Sequence, residues 1–121
     1  MRILHVEDVP EISQIFADIL ATKNYEFDSI SDGKAGLELA VYKDYDLILL
    51  DMCMPKYSGV DFLLDLKHRR PSEVSKVVIV SALEMTNIQE QELLKLGIRS
   101  VLRKPISVQT LLSQIEEKIT F

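Results

Sequence analysis

Short apolar runs alternate along the chain with longer stretches in which apolar residues recur every three or four positions. "ILHV" (3–6) reads as a strand, and Pro10, suited to a helical first turn, then introduces Ile12, Ile15, Phe16, Ile19 and Leu20 at helical intervals. "YEFDSI" (25–30) is a more polar strand, followed by Asp32 as a cap and a helix through Leu37 and Leu39 to Val41. "DLILL" (46–50) is continuously apolar, as a strand buried on both faces would be, and Ser58 can cap the next helix, with Val60, Leu63, Leu64 and Leu66, which ends in "KHRRP". "KVVIV" (76–80) is a second such strand, and its helix runs from about Asn87 to Leu96, where Gly97 can end it. "SVL" (100–102) is a short fifth strand, and Ser107 caps a last helix carrying Leu111, Leu112, Ile115 and Ile119.

Five strands, each followed by a helix, predict an α/β fold: a doubly wound five-stranded parallel sheet with five helices covering both faces. The most apolar strands, the first, third and fourth, belong in the middle, and the polar second and short fifth belong at the edges. That gives the flavodoxin-like order 2-1-3-4-5, whose reversal point lies between the first and third strands. A length of 121 residues without repeats or a long linker predicts a single domain over 1–121.

Charge and cysteine content narrow the partners. Nineteen acidic residues against fourteen basic ones leave a formal net charge of -5, which disfavours nonspecific attraction to a nucleic-acid backbone. One cysteine, Cys53, permits no internal disulfide and fits a reducing compartment. The start, "MRILHVED", turns acidic too soon for a signal peptide, and no apolar run approaches the ~18 residues of a membrane helix. The expectation is a soluble, cytoplasmic protein with no membrane contact and no direct nucleic-acid binding.

The polar residues at the strand ends carry the chemistry. Open parallel sheets bind ligands beyond the carboxyl ends of their strands, at the reversal point. Glu7 and Asp8 end the first strand, Asp51 the third and Ser81 the fourth, and Lys104 stands just past the fifth. Carboxylates packed this closely repel one another, so one takes up a proton or a cation is bound. Hard oxygen donors without a His or Cys cluster favour Mg²⁺ over zinc. Lys104 can pair with one carboxylate or with a phosphoryl group placed on it, and Ser81 can hydrogen-bond a phosphoryl oxygen. Metal, lysine and hydroxyl together describe electrostatic support for phosphoryl transfer to an aspartate oxygen.

Each of these residues also has a plainer reading. Asp8 can be a helix N-cap, Glu7 a solvated acid, Asp51 a strand terminator, Ser81 a turn residue and Lys104 a solvent-facing cation. His5, inside an apolar strand, reads as packed, and His68 reads as surface. "KHRR" (67–70) reads as a helix C-terminus, where the dipole favours cations.

"ED" (7–8), "LLDMCMPKYSG" around Asp51, "VIVSA" ending in Ser81 and Ala82, and "LGIRSVLRKP" ending in Lys104 and Pro105 occur in the order and spacing of bacterial two-component response-regulator receiver domains. The chain resembles that chemotaxis-regulator-like family over essentially its whole length. The resemblance implies that Asp51 accepts a phosphoryl group from a phosphohistidine of a sensor histidine kinase or a histidine phosphotransfer protein. It implies Mg²⁺ held by Asp8, Asp51 and the main-chain carbonyl of Cys53, with Glu7 reaching it through water. It also implies self-phosphorylation from small donors such as acetyl phosphate and slow self-hydrolysis. Ser81 would act as a switch, reshaping the face of the fourth helix, fifth strand and fifth helix, where a partner or a second copy docks.

Two positions depart from the commonest family pattern: glutamate stands at 7, where aspartate is more frequent, and Val101 stands where the family usually has a tyrosine or phenylalanine that changes rotamer. Valine is stiff at χ1 and offers no such lever. The resemblance leaves open a receiver-fold interaction module not regulated by phosphorylation. A phosphatase working through an aspartyl-phosphate is disfavoured by the lack of a cap domain or a long loop over the site. The chain ends two residues after Ile119, which fits a single-domain regulator and the amino-terminal part of a longer protein equally.

Overall fold

The computed structural model describes residues 1–52, 54, 56–81, 85–104 and 107–119, with side chains in the last helix described at 109–113 and 115. The expectations placed on Cys53, Pro55, Ala82, Pro105 and the Ile119 side chain lie outside the described residues.

The alternation of patterns becomes β1 (Arg2–Val6), α1 (Pro10–Ala21), β2 (Glu26–Ile30), α2 (Gly33–Tyr42), β3 (Leu47–Asp51), α3 (Gly59–Arg69), β4 (Val77–Ser81), α4 (Asn87–Lys95), β5 (Ser100–Arg103) and α5 (Val108–Ile119). All strand pairs are parallel and the sheet order is β2-β1-β3-β4-β5, as the apolar ranking of the strands predicts. Every residue of β3 and β4 is buried. Because side chains alternate across a strand, Leu47 and Leu49 join Phe16, Leu20, Leu111 and Ile115 under α1 and α5, while Ile48 and Leu50 join Leu37, Phe62, Leu66 and Leu93 under α2, α3 and α4.

Sequence-predicted caps hold three helices. Asp32 accepts the Ala35 N–H, and Ser107 accepts the Thr110 N–H at 3.0 Å. Ser58 forms a reciprocal capping box with Asp61. Gly97 ends the α4 segment at φ +101°, in the left-handed region.

Three details depart from the sequence expectation. Pro71–Lys76 forms a 3-10 helix in addition to the five α-helices; its buried Glu73 accepts from Lys76 Nζ at 2.9 Å. The inner stripe of α3 is Gly59, Phe62, Leu63 and Leu66, which rotates Val60 and Leu64 about 100° away, to 40% and 51% exposure. Ile15 of α1 is likewise turned outward, at 56%. The basic run at the end of α3 does more than face a dipole. Lys67 donates to the Leu96 carbonyl, Arg69 pairs with Glu38 at 2.6 Å, and Arg70 Nη1 donates to the carbonyls of Ala40, Val41 and Lys43 at the end of α2.

Candidate functional site

The end of β1 is extended one residue by a hydrogen bond from the Glu7 N–H to the Ile30 carbonyl at 3.0 Å. Glu7 is thereby fixed at the top of the sheet and is 1% exposed. Asp8 follows, partly buried. It does not cap α1: the N-cap is Val9, no side chain caps the helix, and Pro10 at its start has no N–H to satisfy. Asp51, 5% exposed, is the last residue of β3 and stands opposite Val80 of β4.

From these three residues, one carboxylate oxygen each can be chosen so that all lie within 4.8 Å of one another. Unit charges about 4 Å apart interact by about 4 kcal/mol at an effective dielectric near 20, so three bare anions here need positive charge. Lys104 supplies one such charge. Its N–H donates to the Ser81 carbonyl at 2.8 Å, anchoring its backbone beside the end of β4. Its ammonium donates to Glu7 Oε1 at 2.7 Å and stands 3.6 Å from Asp51 Oδ1. One ammonium against three carboxylates leaves an anionic excess. Burial first, and then the neighbouring Asp51 carboxylate, push the Glu7 carboxyl above the usual carboxylate range, while Lys104 pulls it back.

Among the described residues, Glu7 Oε2 is buried and faces no hydrogen-bond donor. Ser81 closes β4 next to the site and is 1% exposed. Val101 lies on β5 opposite Ile79, partly buried against the cluster under α2, α3 and α4.

Five of the seven sequence-derived site residues therefore gather at the carboxyl ends of β1, β3, β4 and β5: Glu7, Asp8, Asp51, Ser81 and Lys104. Val101 sits lower on β5, in the packing, and Cys53 lies outside the described residues. His5 is not in the site. It is buried and stacks on Phe16 with ring centroids 4.5 Å apart, as its apolar setting implied. Burial, with help from the Lys104 charge, pushes its imidazole down to about 3.

Two features had no sequence signal. The sequence leaves open which carboxylate Lys104 pairs with; in the folded protein the shorter contact is to Glu7. Arg103, beside Lys104, donates to Glu90 at 2.7 Å and to the Met85 carbonyl at 3.1 Å, tying β5 to α4. Residues so distant along the chain meet only when the sheet closes.

Comparison with known proteins places the chain among similar ones. A family model described as the response regulator receiver domain matches residues 3–116. The transcriptional regulatory protein DltR of Streptococcus agalactiae is 34% identical over 115 residues, an alignment covering 95% of this chain and 50% of that protein. The chain thus spans about half the length of that relative. A response regulator receiver domain protein from Clostridium thermocellum superposes with a TM-score of 0.85 at 28% identity, covering 98% of this chain and 93% of that one. The receiver domain of a sensor histidine kinase from Pseudomonas aeruginosa, solved with magnesium coordinated in its active site cleft, shares the fold at a TM-score of 0.84 and 22% identity, covering 99% and 98% of the two chains.

Proposed function

Since the chain belongs to the response regulator receiver domain family, we propose that residues 1–121 form one receiver domain and that Asp51 is its phosphoryl acceptor in a two-component signalling relay. The observation that carries this reading is the convergence of buried Glu7 and Asp51 and partly buried Asp8 with the Lys104 ammonium in one cluster at the sheet's reversal point.

The donor would be a phosphohistidine of a sensor histidine kinase or phosphotransfer protein. A carboxylate oxygen of Asp51 attacks phosphorus, the P–N bond breaks, and its electron pair returns to the imidazole nitrogen, which takes a proton. Lys104 offsets the charge on the transferring oxygens, and the Ser81 hydroxyl donates a hydrogen bond to one of them. Water then attacks phosphorus, the P–O bond to the Asp51 carboxylate breaks, and the carboxylate and inorganic phosphate are released; the domain is a switch with slow self-dephosphorylation rather than a turnover enzyme.

The residues present fit a divalent cation: an all-oxygen donor set, and a buried carboxylate oxygen of Glu7 with no donor among the described residues. Asp8 and Asp51, with Glu7 through water and the Cys53 carbonyl, would hold Mg²⁺. When bound, Mg²⁺ neutralises the anionic excess that the single lysine leaves. Docking of a downstream partner or a second copy would use the face of α4, β5 and α5, in the cytoplasm. Among the described residues no helix is long and apolar enough to cross a membrane.

Val101 favours one second reading. Packed opposite Ile79 and without an aromatic lever, it supports a receiver-fold interaction module whose output does not depend on phosphorylation. Intact-mass spectrometry after brief exposure to acetyl phosphate and Mg²⁺ separates the two. A phosphoacceptor gains one group of about 80 Da per chain, and the gain is lost in Asp51→Asn and without metal. A gain that survives in Asp51→Asn moves the chemistry elsewhere. No gain from acetyl phosphate or from a phosphorylated kinase, with Mg²⁺ binding confirmed, leaves the interaction module.

A further inference from the structure

Lys104 does not rest on the residue it is expected to serve. It starts from β5, at the edge of the sheet, and its ammonium reaches past the Asp51 carboxylate of β3 to the Glu7 carboxylate of β1. The contact to Glu7, at 2.7 Å, is a charge-assisted hydrogen bond, whereas 3.6 Å to Asp51 is only an ion pair. Both backbones are pinned, Glu7 by its N–H to Ile30 and Lys104 by its N–H to Ser81, so the choice lies with the side chains. Glutamate has one methylene more than aspartate to bring its carboxylate to the lysine. The contact is buried: the side chains are 1% and 17% exposed, so water screens it weakly.

We propose that Glu7 is a positioning residue that holds Lys104 back from Asp51 until a divalent cation takes a share of the Glu7 carboxylate, so that cation binding and release of the lysine are coupled. This rests on the reading of Asp51 as phosphoryl acceptor and adds to it the order in which the site assembles. One carboxylate cannot hold the ammonium at full strength while it also serves a cation. The Glu7 carboxylate, which has one oxygen within 4.8 Å of carboxylate oxygens of Asp8 and Asp51 and whose Oε2 has no donor among the described residues, is the group on which that competition turns. As positive charge gathers there, the attraction holding Nζ weakens, and Lys104 still has the Asp51 carboxylate, 3.6 Å away, to turn to. By linkage, the lysine must weaken the cation as much as the cation weakens the lysine.

The test is a backbone-amide NMR titration with MgCl₂ of the parent, Lys104→Met, Glu7→Gln and the double variant, following the amides of Asp8 and Asp51. Lys104→Met should tighten Mg²⁺ binding about tenfold, and the gain should shrink to about threefold or less when Glu7 is already Gln. The ¹⁵N signal of the Lys104 ammonium should shift on Mg²⁺ addition in the parent and stay in place in Glu7→Gln. Equal gains in the two backgrounds overturn the proposal, because Lys104 then acts only as a nearby charge. Absence of Mg²⁺ binding in all four proteins overturns it as well. If Glu7→Gln does not fold, Glu7→Asp replaces it, with a gain smaller than the parent's expected and an equal gain refuting. Phosphoryl uptake by mass is read separately. Uptake without coupling removes this inference alone, and coupling without uptake at Asp51 removes the acceptor reading.

Discussion

Gly59 opens α3 directly behind the end of β3, and replacing it with alanine should damage fold and site together. Its N–H donates to the Met52 carbonyl at 3.0 Å. A Cβ at this position would stand 2.9 Å from Met52 Cα, 3.1 Å from the Asp51 carbonyl oxygen and 3.1 Å from Met52 Sδ. Carbon atoms in contact prefer about 3.5–4.0 Å, so the segments must part by about half an ångström or more. Two of the three atoms are main chain and cannot rotate aside. Overpacking of this kind costs about 1–3 kcal/mol. Alanine's better helix propensity returns at most about 1 kcal/mol, and less at a first helical residue than in the interior. We therefore expect a net loss of about 1–2 kcal/mol in urea denaturation with an unchanged m-value. The strained atoms belong to Asp51 and Met52, so phosphoryl uptake from acetyl phosphate should slow by more than the unfolded fraction explains. A Gly59→Ala protein as stable as the parent, with the same uptake rate, would refute the reasoning that close backbone contact with Gly59 fixes the Asp51–Met52 segment.

His5 and Thr86 give two further tests. The buried imidazole stays neutral down to about pH 3, whereas the unfolded chain binds a proton near 6.5; between these values the unfolded state holds more protons, and stability falls as pH falls. From pH 7.5 to pH 5 the parent should lose about 2 kcal/mol relative to His5→Phe, which keeps the stack on Phe16; identical pH profiles in the two proteins would contradict the buried neutral histidine. Because the comparison is a difference between proteins, the opposite contribution of Glu7, raised by burial, cancels if His5→Phe leaves it in place. Thr86 caps α4 and forms a reciprocal box with Gln89. Thr86→Ala should cost about 1 kcal/mol, read as faster hydrogen exchange at the amides of 87–90, and unchanged exchange there would remove the cap's role.

Much of the fold was legible because its signals are local. A strand buried on both faces must be apolar throughout, so "LILL" and "VVIV" announced the centre of the sheet, and the weaker strands fell to the edges. Caps are equally local: Asp32, Ser58 and Ser107 each bond a main-chain N–H three residues on. The exposed faces of the helices were less legible. Apolar residues at Ile15, Val60 and Leu64 fit a helical period, but which stripe points inward depends on how the helix docks. The 3-10 helix at Pro71–Lys76 escaped for a related reason, since its buried acid is satisfied by neighbours rather than by an apolar pattern.

The sequence by itself determined the order of elements, the strand ranking and the candidates Glu7, Asp8, Asp51, Ser81 and Lys104, because periodicity and strand ends are read within a few residues. Only the tertiary structure decided that Lys104 bonds Glu7 rather than Asp51, that Asp8 is not a helix cap, and that Arg103 ties β5 to α4. Those outcomes depend on ångström differences between groups separated by up to 97 residues of chain. Interaction energy between charges varies with distance and burial, and neither exists until the sheet has formed.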